Sequence, residues 1–350
     1  MDFSLAEDTK QLVEGARAFL TQENTVARLR QAEQSSGLEL MPQIASLGLF
    51  GIEAPESLGG LGLSAVESVA IAEEAGHVAL PEPLTEIAGL LVPMLVHLGR
   101  GELAQSVAQG HSAMGIASPL CPFVGHARRQ AQVLIVTPRR VALAEPKDCL
   151  NPPRSSIDPW RQLARVDLEA AGEVLASDEA AHEACQWLNA RGAVLIAAEL
   201  CGLARRMIEL ATDYANTREQ FGAPIGSFQA VQHLLADARV RLEFARPVVY
   251  RAAAALAHMN VPRRDLFASH AKLAATDAAN LASENAIQVF GAFGYTFEAD
   301  LHYFMKRSWA LAGLWGDREF HLQRLDAHVF DGGAAIGPGT SYRQEEKRHD

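Results

Sequence analysis

Apolar residues recur along most of this chain at the spacing of three and four that lines one helix face, and only a middle stretch departs from it. The clearest stripe is Ile196, Leu200, Leu203, Met207, Leu210 and Tyr214, at intervals of 4, 3, 4, 3 and 4. It predicts a long helix packed along much of its length against other helices. Ser177 suits the N-cap of that helix, since a side-chain oxygen there satisfies an orphan backbone N–H. Helical patterns over about 229–259, 265–290 and 300–330 follow, with no repeat of fixed period. Four long helices predict a C-terminal bundle over 177–330.

Residues 1–111 also read as helical. Ser4-x-x-Glu7 and Ser64-x-x-Glu67 both fit a capping box, in which hydroxyl and carboxylate each satisfy a backbone N–H at a helix start. Between them Pro55-Glu56-Ser57-Leu58-Gly59-Gly60-Leu61-Gly62 breaks the periodicity and predicts a long loop. Its Gly60-x-Gly62 is half of a dinucleotide fingerprint, but no strand precedes it and Ala65 stands at the third glycine position, so it reads as a turn. Over 112–176 the pattern changes to short β-like runs at 132–137, 140–144 and 165–168, separated by proline-bearing turns, which predicts a small β module. Residues 331–350, rich in glycine and charge, read as a flexible tail.

Composition narrows the function classes. The 350 residues are 49% hydrophobic and 21% charged, enough to bury large cores without metal or disulfide staples. Lys and Arg total 31 against 42 Asp and Glu, a net charge of −11 that opposes nucleic-acid binding. The β module is the exception: from 121 to 170 there are 8 basic and 5 acidic residues, +3 against −14 elsewhere. Arg128, Arg129, Arg139 and Arg140 read either as a solvated face or as a docking surface for an anion. The four cysteines are scattered, without metal-ligand spacing, and read as reduced thiols. Neither a leader-like N-terminus nor an apolar run of membrane-spanning length is evident, so a cytoplasmic protein with no membrane partner is expected.

No metalloprotease, α/β-hydrolase or P-loop motif occurs. Two glycine-bearing stretches stand out instead. In Arg218-Glu-Gln-Phe-Gly-Ala-Pro-Ile-Gly-Ser-Phe-Gln229 one helix ends and another begins beside an arginine, a suitable corner for a diphosphate. In Gln288-Val-Phe-Gly-Ala-Phe-Gly-Tyr-Thr-Phe-Glu298 two glycines admit close approach of a flat ligand, while Gln288 offers both donor and acceptor.

Taken together these residues resemble the acyl-CoA dehydrogenase family. R-x-Q-F-G-x-P-I-x-x-F-Q with His233, Asp237 and Ala271-Lys272, then Q-x-x-G-x-x-G-Y-T-x-E, is similar to its C-terminal domain. Leu47-Gly48-Leu49, the 55–62 loop and Glu73-Glu74-Ala75-Gly76 are similar to its N-terminal domain. The resemblance implies a mainly α fold with a small central β-barrel, ending in a four-helix bundle. It implies FAD bound between bundle and barrel and reaching a neighbouring subunit. Arg218 would bind the diphosphate, Phe221 and Phe228 would pack around the adenosine part, Gln288, Gly291 and Ala292 would lie along the dinucleotide, and Asp317 would touch FAD. The implied chemistry is α,β-dehydrogenation of an acyl-CoA thioester: a carboxylate removes the α-proton while hydride leaves Cβ for the flavin. Electron-transfer flavoprotein is the implied acceptor.

The catalytic positions depart from the pattern. One subgroup of the family places the base 27 residues after the glutamine of Q-x-x-G, here Trp315; another places it 26 residues before the arginine of R-x-Q-F-G, here Gly192. Asp317 is the nearest carboxylate, and Glu199 reads as a solvated or structural position. Gly192, Leu314 and Trp315 are candidates for the acyl pocket or for plain core. The segments by which the family's barrel contacts flavin have no counterpart between Ser118 and Val174. This combination resembles the base-lacking small subunit of heteromeric bacterial acyl-CoA dehydrogenases acting on steroids and similar bulky acyl groups. An α2β2 heterotetramer with a related partner is then expected, with a homo-oligomer as the other arrangement. The competing functions are a non-catalytic structural subunit and a flavin oxidase or monooxygenase of the same fold.

Overall fold

A computed structural model describes residues 6–32, 38–258 and 261–331. Helices α1 (Glu7–Glu23), α2 (Val26–Ala32), α3 (Met41–Ser46), α4 (Ala65–His77), α5 (Leu84–Glu86), α6 (Val92–His97) and α7 (Gly101–Ala108) form the first part, with a π-helical turn, Ile87–Leu91, between α5 and α6. The capping box at Ser64 is formed: Ser64 N donates to Glu67 Oε2 at 2.9 Å, and the Ser64 hydroxyl oxygen accepts from Val66 N at 3.2 Å. The expected box at Ser4 lies outside the described residues; α1 begins at Glu7 behind Ala6. The flexible-tail expectation likewise falls on residues that, after Asp331, are outside the description.

The middle part holds β1 (Met114–Ala117), β2 (Phe123–Val124), β3 (Gln132–Val136), β4 (Arg140–Ala144), a short α8 (Pro146–Cys149), β5 (Ala164–Arg165) and β6 (Glu173–Ser177). Four strands form one sheet in the order β1-β3-β4-β6, with β1 parallel to β3 and the rest antiparallel, while β2 pairs with β5 in a separate ladder. The expected barrel is therefore corrected: among the described residues no closed barrel occurs. Two of the six strands are two residues long, too short to join the sheet edges into a ring. Both faces of the sheet are covered. Leu134, Val136, Val141 and Leu143 face the main core, and Val133, Ile135 and Ala144 face a small core with Val124, Cys149 and Val166. Double burial explains why these strands read as continuous apolar runs rather than alternating ones.

The last part is α9 (Asp178–Thr217), α10 (Gln229–His258), α11 (Val261–Phe290), α12 (Leu301–Ala312) and α13 (Arg318–Asp326). A hairpin of β7 (Glu219–Gln220) and β8 (Ala223–Pro224) joins α9 to α10. Helix α9 has 40 residues, about 60 Å at 1.5 Å per residue, and contacts α4, α10, α11 and α12. The stripe predicted on it is buried at Ile196, Leu200, Leu203 and Met207 and partly buried at Leu210 and Tyr214. The expected fourth helix over 300–330 is broken between Ala312 and Arg318, where Trp315 (φ 57°) and Gly316 (φ 97°) take left-handed conformations that no α-helix continues through.

Candidate functional site

At the lower end of α9 the ring of Tyr214 stacks on Phe290, 4.4 Å between centroids, and on Phe293 at 5.7 Å. This stack ties the C-terminus of α9 to the C-terminus of α11. Arg218, four residues beyond Tyr214, and Gln288, two before Phe290, thereby share one end of the bundle, and both are exposed. Arg218 makes no side-chain hydrogen bond or ion pair among the described residues. The hairpin after it turns at Phe221 (φ 55°) and Gly222 (φ 82°), the paired positive values of a tight two-residue turn. Phe221 pays for that turn in backbone strain while its side chain is 95% exposed, an arrangement with no benefit inside this chain alone. Phe228 meets it edge to face at 6.2 Å. Gly291 (φ 59°) has open space where a Cβ would stand, and Ala292 beside it is exposed. The residues expected around a dinucleotide thus form an open, aromatic, cationic end, and they fit FAD: an unpaired guanidinium for a diphosphate, rings for an adenosine, and a glycine cradle.

The two positions expected for a base are far apart in sequence and in contact in space. A Cβ built on Gly192 in α9 would lie 2.2 Å from Cδ2 of Trp315. The indole, 3% exposed, fills the volume that a carboxylate on either element would need. It is held there deliberately. Lys272 in α11 donates from Nζ to Ala312 O at 2.7 Å and Gly316 O at 3.1 Å, closing the break on both sides. His321 Nε2 donates to Trp315 O at 3.1 Å, and its Nδ1 accepts from Ser269 Oγ at 3.0 Å. Burial lowers Lys272 from 10.5 to about 7 and His321 from 6.5 to about 4. Asp317, the carboxylate nearest in sequence, is exposed and caps α13, its Oδ1 accepting from Phe320 N at 2.9 Å.

Behind the indole lies a cavity of ≈ 60 Å³ between α9, α12, the 81–90 segment and the sheet. Leu314 and Trp315 line it; Gly192 does not. Its remaining wall mixes apolar residues such as Leu90, Ile116 and Leu195 with charged ones. Arg307 in α12 pairs with Asp158 at 3.1 Å and Glu199 at 3.8 Å, so Glu199 is a buried ion-pair partner rather than a solvated residue. Burial pushes the Glu86 carboxyl up to about 7, with Arg161 opposing, and pushes His126 down to about 4. Thr85 Oγ1, His126 Nδ1 and Arg307 Nε are buried without a hydrogen-bond partner among the described residues. Sequence reasoning missed this set, because Glu86, His126, Arg161 and Arg307 come from separate elements with no shared spacing. Only the Ala271-Lys272 pair carried a signal for the strap that holds Trp315.

Comparison with known proteins bears on the fold and the family. Residues 6–112 match the family model for the acyl-CoA dehydrogenase N-terminal domain, and residues 183–330 match that for the acyl-CoA dehydrogenase C-terminal domain. The chain belongs to the acyl-CoA dehydrogenase family. It is 32% identical over 287 residues, 81% of this chain and 84% of the relative, to acyl-CoA dehydrogenase IpdE2 of Mycobacterium tuberculosis. Among solved structures, the ChsE4-ChsE5 complex from Mycobacterium tuberculosis superposes with a TM-score of 0.82 at 21% identity, covering 96% of this chain and 100% of the other. A steroid acyl-CoA dehydrogenase variant, Tcur3481-Tcur3483, does so with a TM-score of 0.81 at 24% identity, covering 95% and 100%. Among the described residues no helix is long and apolar enough to cross a membrane, and no cluster of three metal-ligating side chains occurs.

Proposed function

We propose that this chain is the FAD-associated, base-lacking subunit of a heteromeric acyl-CoA dehydrogenase, acting with a sequence-related partner that supplies the carboxylate. The observation that carries the reading is the indole of Trp315 seated on Gly192, which leaves the α-proton of an acyl-CoA no acceptor at either expected position. Proton abstraction in such a complex falls to the partner. What this chain contributes is binding. Arg218 holds the FAD diphosphate by charge-assisted hydrogen bonds, Phe221 and Phe228 cover the adenosine part, and Gln288 orients the dinucleotide beside the open surface of Gly291 and Ala292. Bound FAD supplies the hydride acceptor. Asp317 caps α13 beside the seat of Trp315 on Gly192, which stands 26 residues before Arg218 along α9, about 39 Å away, so it does not join that end. The bulky, steroid-type acyl class is supported by the steroid acyl-CoA dehydrogenase among the structural neighbours, and electron-transfer flavoprotein is the proposed acceptor.

Co-expression with a related dehydrogenase chain should yield a yellow α2β2 complex whose enoyl-CoA formation neither chain shows alone. Arg218→Ala in that complex should cut FAD stoichiometry and turnover together. An FAD-loaded homomer with full activity overturns the heteromer. Unchanged FAD content in Arg218→Ala favours a purely structural subunit instead, and oxygen consumption without enoyl product favours an oxidase.

A further inference from the structure

A second concave site lies in the β module and shares no lining residue with the cavity behind Trp315. It is a groove of ≈ 520 Å³ into which Arg128, Arg154, Ser155, Ser156 and Gln162 project, flanked by Pro153 and Pro159. Among the described residues no carboxylate lines it. That matters in a chain of net charge −11, where a cation ordinarily finds an acid. Arg128 and Arg154 are exposed, and neither is engaged by a side-chain hydrogen bond or ion pair among the described residues. Ser156 Oγ accepts from Asp158 N at 3.2 Å, which leaves its own O–H free to donate.

The groove is framed rather than loose. Arg154 N donates to Leu163 O at 2.8 Å, His126 N to Arg161 O at 2.8 Å, and Ala127 N to Gln162 O at 3.3 Å, so its three segments are laced together. Its floor is anchored by Trp160, 1% exposed, whose indole N–H donates to Leu29 O at 3.3 Å and whose ring stacks on Tyr303 at 5.3 Å. Two non-glycine residues at its edge, His126 (φ 48°) and Gln162 (φ 42°), are held in the left-handed region, and strain of that kind concentrates at ligand clamps.

We infer that this groove binds a small phosphate-bearing anion of nucleotide size. Guanidiniums meet phosphate oxygens through paired N–H bonds, and the serine hydroxyls and the Gln162 amide add neutral donors. The proline rings offer apolar walls to a base or sugar. Its volume falls in the range of small-molecule sites, about 300 to 1,000 Å³, and its concavity suits a compact ligand better than the broad face of an acidic protein.

The test is calorimetric titration of the purified full chain with pyrophosphate, ADP and coenzyme A. One saturable site per chain is expected, weakened at least tenfold by Arg128→Ala and by Arg154→Ala and weakened by added salt. Both substitutions are at exposed positions, and circular dichroism should show the fold intact. Tighter binding of coenzyme A than of ADP would assign the phosphate to the acyl carrier; equal binding would assign it to a free nucleotide. Arg218→Ala separates this site from the bundle end. ADP binding that disappears in Arg218→Ala but survives Arg128→Ala overturns the groove, as does the absence of saturable binding. Binding of an oligo-glutamate peptide without binding of any phosphate compound overturns it too.

Discussion

One methyl group added at Gly192 puts a carbon 2.2 Å from the buried Trp315 indole, which must shift to make room. Gly192→Ala should therefore lose about 2 kcal/mol in urea unfolding despite the better helix propensity of alanine. In a Trp315→Ala background the same change should cost less than about 1 kcal/mol, because the overlap is gone; simple additivity of the two would refute the contact. The strap behind the indole carries a pH signature. His321 is neutral in the fold down to about pH 4, whereas in the unfolded chain it takes up a proton near 6.5. Stability is thus undiminished by His321 above pH 6.5 and is lost as pH falls from there through 4, by about 3 kcal/mol. Glu86 acts with the opposite sign, its contribution fading as pH rises through about 7, so the informative quantity is a difference between proteins. His321→Asn should flatten the acid limb between pH 7 and 4 by about 3 kcal/mol relative to the parent chain. From sequence, Trp315 and Gly192 were each legible as the wrong residue for a base. That they touch was not, since 123 residues of chain separate them and contact depends on how α9 and the broken helix cross.

At the scale of elements, α4 lies on α9 closely enough for backbones to touch. A Cβ at Gly76 would stand 2.1 Å from Glu199 O, and one at Gly202 would stand 1.9 Å from Glu73 O. The neighbours are main chain, so neither can give way cheaply. Around that crossing Glu74 is held by Arg17 at 2.8 Å and Arg205 at 2.7 Å, and Glu73 by Arg246 at 2.9 Å. Those hydrogen bonds keep Glu74 below the usual carboxylate range in spite of burial. Gly202→Ala should cost about 3 kcal/mol or more and reduce the yield of folded protein, while Gly15→Ala on α1, with nothing within 4 Å, should leave the melting temperature unchanged or slightly raised. Element types were readable because α9 carries strong periodicity and α4 a formed capping box; the Ser177 hydroxyl expected to cap α9 instead donates to Asp178 Oδ2 at 3.0 Å. Strands β1 and β6 were not anticipated: Met114–Ala117 is buried on both faces and shows no alternation, and Glu173–Ser177 is a largely exposed edge. The helix break at 313–317 was hidden because its apolar residues keep helical spacing across it, and only the tertiary strap from Lys272 and His321 fixes the left-handed pair.

For the whole molecule the informative surface is the bundle end, where Phe221, Tyr295 and Phe297 are 95%, 79% and 79% exposed. Large rings left in water on a strained turn are what a subunit shows when its partner is removed. Phe221→Asp should weaken assembly at least tenfold in sedimentation experiments and leave the unfolding midpoint of the separated chain within about 0.5 kcal/mol of the parent. Motif order made the family legible, and the role proposed for this end rests on the same motifs. The polar cavity was not, because no local pattern announces which distant loops will meet. The seating of Trp315 on Gly192 also bears on descent. A glutamate restored at 192 alone meets an indole, and one restored at 315 alone leaves a void over a glycine and breaks the packing beneath it. On the proposed reading, recovery of an independent enzyme from this chain would need both replacements at once, so the proposed division of labour between subunits acts as a ratchet: easy to enter by one lineage and hard for its descendants to leave.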